Sequence, residues 1–94
     1  MKYMIFWTDG DKEELVGVEY GSSFSDVADK LVRAVNDDLS NRPEYSKFEV
    51  ACQLPDKNEE HPVAGTQYDL TGIVSPLCAE KNILVDYKVF AENE

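Results

Sequence analysis

The sequence predicts an α+β domain: a single mixed β-sheet with one main helix packed on one face, in the order ββαββ, short helix, β. Three observations predict it. Strand-like apolar runs occupy residues 2–8, 14–20, 47–54 and 82–91. Apolar residues recur at helical spacing between Phe24 and Leu39. Asp9-Gly10, Gly21-Ser22-Ser23 and Ser40-Asn41-Arg42-Pro43 separate these runs with turn chemistry. A length of 94 residues suits one domain over 1–94, and 43% apolar content supplies a core.

Residues 2–8, KYMIFWT, are apolar on both alternating sets. Tyr3, Ile5 and Trp7 share one face, and Met4 and Phe6 the other. A strand apolar on both faces belongs in the interior of a sheet. Asp9-Gly10 turns the chain into ELVGVEY, residues 14–20, where Val16, Val18 and Tyr20 share a face. Ser23 is suited to cap a helix, with Asp26 at its third position as a capping-box variant. Phe24, Val27, Ala28, Leu31, Val32, Val35 and Leu39 form the apolar stripe of that helix, expected over residues 24–38. Asp37 and Asp38 then stand at the wrong end of the dipole, each costing about 0.3–1 kcal/mol.

After the Pro43 break, residues 47–54 alternate cleanly. Phe48, Val50, Cys52 and Leu54 face inward; Lys47, Glu49, Ala51 and Gln53 face out. Residues 55–65 read as a polar loop. Gly72 weakens a long strand in TQYDLTGIV, so a short one is expected there. Ser75-Pro76 opens a helical turn through Glu80. In the last strand Ile83, Val85, Tyr87 and Val89 face one way, and Leu84, Asp86, Lys88 and Phe90 the other.

This order resembles the β-grasp of ubiquitin-like domains over most of residues 2–91. The resemblance rests on element order and patterning. It implies that the first and last strands lie side by side and parallel. The di-glycine tail of conjugated and sulfur-carrying members is absent from Asn93-Glu94, which argues against those activities.

With Tyr3, Ile5, Trp7, Val16 and Val18 turned to the helix, the opposite face shows Met4, Phe6, Ala51, Leu84 and Phe90. Glu19, Glu49, Asp86, Lys2 and Lys88 rim it. An apolar centre with a charged rim is the pattern of a protein-binding patch. The candidate contact residues on this face are Met4, Phe6, Leu84, Phe90 and Asp86.

Catalytic chemistry is poorly represented. His61 is the single histidine, placed between Glu60 and Pro62 with no nucleophile nearby in sequence. Cys52 and Cys78 lack the Cys-x-x-Cys spacing that lowers a thiol pKa. Asp56-x-Asn58-x-Glu60 matches the first half of a calcium loop, but His61 stands where glycine is needed and Gln67 where glutamate is needed. The glycines are isolated, so no phosphate-binding loop is present. No enzyme activity, cofactor or metal is expected.

Nineteen acids against nine Lys and Arg give a formal charge of −10. Such a surface repels nucleic acid and attracts cationic partners. Acids cluster at the hairpin tip (Asp9, Asp11, Glu13, Glu14), at the helix end (Asp37, Asp38) and in the loop (Asp56, Glu59, Glu60). No secretory leader or membrane span is legible, and two thiols without a disulfide framework fit the cytoplasm. The expected function is a small acidic protein–protein interaction module, with homodimerisation compatible with the same patch. The alternative is an acidic inhibitor or decoy, of the size and charge of phage inhibitors and immunity proteins. Its carboxylates would occupy the phosphate-binding groove of a basic nucleic-acid-binding protein or nuclease.

Overall fold

The computed structural model describes residues 1–55, 63–77 and 81–93. Among them are strands β1 (Lys2–Asp9), β2 (Lys12–Tyr20), β3 (Glu49–Gln53), β4 (Gln67–Ser75) and β5 (Ile83–Glu92), with helix α1 (Phe24–Asn41) between β2 and β3. The strands form one sheet in the order β2-β1-β5-β4-β3. Gly10 makes the β1–β2 turn at φ +60°, a conformation that costs a side-chain-bearing residue energy. The chain then crosses one face as α1 and returns through the meander β3-β4-β5. The helical turn expected after Ser75 falls largely on residues outside the described ones.

Every pairing in the sheet is antiparallel. β1 and β5 are central neighbours, as their apolar character implies, but Tyr3 pairs with Ala91 and Trp7 with Tyr87 in antiparallel register. The mixed sheet and the parallel pair implied by the β-grasp resemblance are therefore corrected. The cause lies in β4. Gly72 does not shorten it: the strand runs nine residues, pairing with β5 from Gln67↔Phe90 to Val74↔Ile83. A long β4 sends the chain back beside itself rather than across the sheet, and β5 arrives antiparallel to β1.

The helix follows from its stripe. Phe24, Val27, Leu31, Val35 and Leu39 are buried on it. Ser23 caps the start, its hydroxyl accepting from the Asp26 N–H at 3.2 Å. Asp26 does not complete the reciprocal box on Ser23; its carboxylate accepts from the Ser22 N–H at 3.0 Å. The helix continues to Asn41, three residues beyond the expected end. It stops where Pro43 forces Arg42 into extended backbone, φ −82° and ψ 126°.

Both ends of α1 are pinned to the sheet. At its start, Phe24 stacks on Tyr68 with ring centroids 4.1 Å apart, and Tyr3 meets Phe24 edge-on at 6.5 Å. At its end, Leu39 packs where Gly72 has no side chain. Between them lie Ile5, Leu70, Val74, Val85, Tyr87 and Val89, all buried.

One irregularity changes which residues face where. The β1–β2 register shifts between Ile5↔Gly17 and Phe6↔Leu15. Val16 is the extra residue of this bulge and packs against the core. Val18 pairs with Met4 and Tyr20 with Lys2, so both lie on the face away from the helix. The expectation that Val18 faces the helix with Val16 is corrected: a bulge breaks strict alternation. Glu19, expected on the open rim, pairs with Tyr3 on the helix side.

Candidate functional site

The helix covers one face of the sheet, and the described residues leave the other open. Pairing across the strands arranges that open face in rows. Val18, Met4, Phe90 and Gln67 form one row, and Leu15, Phe6, Lys88 and Asp69 the next. Leu84, Ile73 and Ala51 form a third, nearer the β3 edge. Phe6 and Phe90 touch edge-to-face at 5.6 Å. The result is an apolar field of Met4, Phe6, Leu15, Val18 and Phe90, extended by Tyr20, and a smaller one around Leu84. Leu84 is 66% exposed, Tyr20 55% and Leu15 54%. These exposures are high for large apolar side chains that share one face.

A polar band separates the two fields. Thr8 donates to the Asp86 carbonyl at 3.0 Å. Thr8, Asp69, Thr71, Asp86 and Lys88, with Gly10 at the hairpin turn, line a cleft of about 450 Å³. Asp86 also borders a second cleft, of about 330 Å³, with Asp9, Glu44, Trp7, Tyr45 and Leu84. Met4, Phe6, Leu84, Phe90 and Asp86, named from alternation, thus all lie on one surface. Leu15, Val18, Tyr20 and Ile73 join them. The bulge hid Val18 and Tyr20, and the expected short strand hid Ile73; Leu15, opposite Val16 by simple alternation, was open to the sequence and not singled out.

The acids named from sequence distribute unevenly. Asp9, Asp11, Glu13, Glu14 and Asp37 are exposed. Asp56, Glu59, Glu60 and His61 lie outside the described residues, as does Cys78. The hairpin and the helix end, distant in sequence, meet through Arg42. Its guanidinium Nε donates to Asp38 at 2.9 Å, and it lies 3.8 Å from Glu14. The same guanidinium stacks on Trp7 at 4.1 Å from the ring centroid. Glu44, not singled out from sequence, stands with Asp9 and Asp86 in the second cleft.

Asp38 is therefore held rather than free. Tyr87 donates its hydroxyl to Asp38 Oδ2 at 2.5 Å. Burial, with the hydrogen bond and charge of Asp38, pushes the Tyr87 phenol well above its ordinary range. Burial pulls the Arg42 guanidinium down, but hydrogen bonding and charge from Asp38 outweigh it and hold its pKa up. The cost expected for Asp38 at the helix C-terminus is offset by these two donors. With both pKa values raised, Tyr87 keeps its proton and Arg42 its charge at neutral pH, and the cluster fastens α1 to β5.

Cys52 is a free, half-buried thiol on β3, and burial pushes its pKa up to about 11. It is a poor nucleophile at neutral pH. Among the described residues, no group of three or more His, Cys, Asp or Glu is placed to hold a metal ion. Nor is any helix among them long and apolar enough to cross a membrane. No family model, curated protein or solved structure matches the chain.

Proposed function

We propose that this protein is a non-enzymatic binding module that docks a partner protein through the sheet face its helix leaves open. The observation that carries the reading is the pair of apolar fields on that face, with Leu84, Tyr20 and Leu15 each more than half exposed. Releasing water from such a surface is the main favourable term in protein association. The net charge of −10 would speed encounter with a cationic partner. The proposed setting is the cytoplasm, where a free thiol such as Cys52 stays reduced.

A second reading, the acidic decoy, is favoured by a separate observation. Glu14 of the hairpin and Asp38 of the helix end are drawn to one end of the molecule by Arg42. Asp9, Asp11 and Glu13 extend from the same hairpin.

Affinity capture from the native host, followed by binding measurements on the purified partner, tests both readings. Docking through the open face predicts a loss of at least tenfold on Leu84→Asp, a change that leaves the fold intact because Leu84 packs against little. The decoy predicts little effect of that variant. It predicts instead a steep loss between low and moderate salt, and slower association when Asp9, Asp11 and Glu13 are changed to their amides. Binding indifferent to Leu84→Asp refutes the first reading.

A further inference from the structure

Resting on the open face as a docking surface, we infer that its occupant is a protein segment carrying a lysine or arginine between two apolar anchors. The spacing comes from β5. Phe90, Lys88, Asp86 and Leu84 follow one another on the open face, at alternate positions of the strand. Phe90 belongs to the larger apolar field and Leu84 to the smaller. Six residues of strand separate their Cα atoms by about 20 Å. Asp86 lies between them, two positions from Leu84, with Asp69 and the two threonines Thr8 and Thr71 around the same cleft.

The chemistry of that cleft selects a cation. Lys88 stands beside Asp69 as its ladder partner, and Asp69 accepts from Gln67 Nε2 at 2.9 Å. Asp86 has the hairpin turn at Gly10 on one side and Asp9 and Glu44 across the neighbouring cleft. Across the two clefts an incoming ammonium or guanidinium meets four carboxylates, Asp9, Glu44, Asp69 and Asp86, against the one ammonium of Lys88. An incoming carboxylate meets like charge. A second copy of this chain is disfavoured as the occupant for the same reason: it would bring −10 against −10, with acids facing acids around the band.

The recognised pattern is an extended segment with apolar residues about six positions apart and a cation two positions from one of them. Each charge contact at such a half-exposed site is worth little in isolation. Attraction replaced by repulsion should nevertheless separate matched ligands by about tenfold.

The test uses two synthetic extended nonapeptides with identical apolar anchors six positions apart, one with lysine and one with glutamate two positions from one anchor. Binding to the whole protein is followed by backbone-amide NMR. The lysine peptide should move the resonances of Met4, Phe6, Leu84, Asp86 and Phe90, and leave those of Arg33 and Asp37 on the helix unmoved. It should bind about tenfold more tightly than the glutamate peptide, and the order should reverse in Asp86→Lys. Equal binding of both peptides at the open face overturns the inference while leaving the docking face standing. Shifts confined to the helix side, or none with either peptide, overturn both. A dimer in sedimentation equilibrium that Leu84→Asp dissociates overturns the inference in favour of a second copy.

Discussion

Two strand glycines should respond to the same substitution with opposite sign. At Gly72 an added Cβ would lie 2.9 Å from Leu39 Cδ1, 3.1 Å from Tyr87 Cε1 and 3.4 Å from the Val85 carbonyl. None of these neighbours yields easily. Leu39 is fully buried at the end of α1, and the Tyr87 ring is held by its hydroxyl on Asp38. Overpacking of this kind costs about 1–3 kcal/mol. Removing glycine entropy from the unfolded chain returns about 0.4–1 kcal/mol. Gly72→Ala should therefore lose about 1–2 kcal/mol, which for a domain of this size lowers Tm by roughly 5–15 °C. At Gly17 the same Cβ would meet Ile5 Cδ1 at 3.5 Å and Ala34 Cβ at 3.8 Å, both ordinary contacts. Gly17→Ala should be neutral or raise Tm by a few degrees. Thermal and urea unfolding followed by circular dichroism would measure both. Leu39→Ala combined with Gly72→Ala should cost less than the sum of the two, because removing the Leu39 methyls makes room for the new one. A Gly72→Ala protein as stable as the wild type, or additivity in that cycle, would refute the close approach of the helix end to β4.

Three further predictions concern half-buried polar groups. Asp38→Ala strips the buried Tyr87 hydroxyl of its acceptor and Arg42 of its carboxylate; it should lower unfolding stability by about 1–3 kcal/mol and alter Trp7 fluorescence, with Asp38→Asn retaining part of both. In a Cys78→Ser background, Cys52 should react with a disulfide reagent at pH 8 about a hundredfold more slowly than an ordinary thiol, and at the ordinary rate once urea unfolds the protein. The raised thiol pKa also sets a sign: the stability it contributes is complete below pH 9.0 and is lost as pH rises toward about 11, so the urea midpoint should fall across that window, and fall less in Cys52→Ala, the remaining fall above pH 10 coming from the raised Tyr87 phenol.

The reading of α1 succeeded because its information is local. Five apolar positions at helical spacing, a serine cap and a proline after the end are all that a helix of this kind needs, and each is printed in consecutive residues. The placing of β1 and β5 at the centre was legible for the same reason. Both are apolar on alternate faces, and such strands have nowhere else to go. Local signals faltered at Asp38. In sequence it is an acid at the wrong end of a dipole; in the fold it is the acceptor for Arg42 and for Tyr87, forty-nine positions away.

Composition and short-range pattern alone determined the α+β class, the helix, the central strands, the acidic surface and the alternation that sends Met4, Phe6, Leu84 and Phe90 to one face. Tertiary structure decided strand direction, the bulge at Val16 and the meeting of hairpin and helix end at Arg42. Strand direction is set by which edges pair, and a glycine such as Gly72 is read as weakness until a helix is seen to need its empty space. A bulge is one residue of backbone slack with little signature of its own, yet it moved Val18 and Tyr20 onto the open face. Pairing between distant segments depends on the whole chain at once, and so it appears only when the chain is folded.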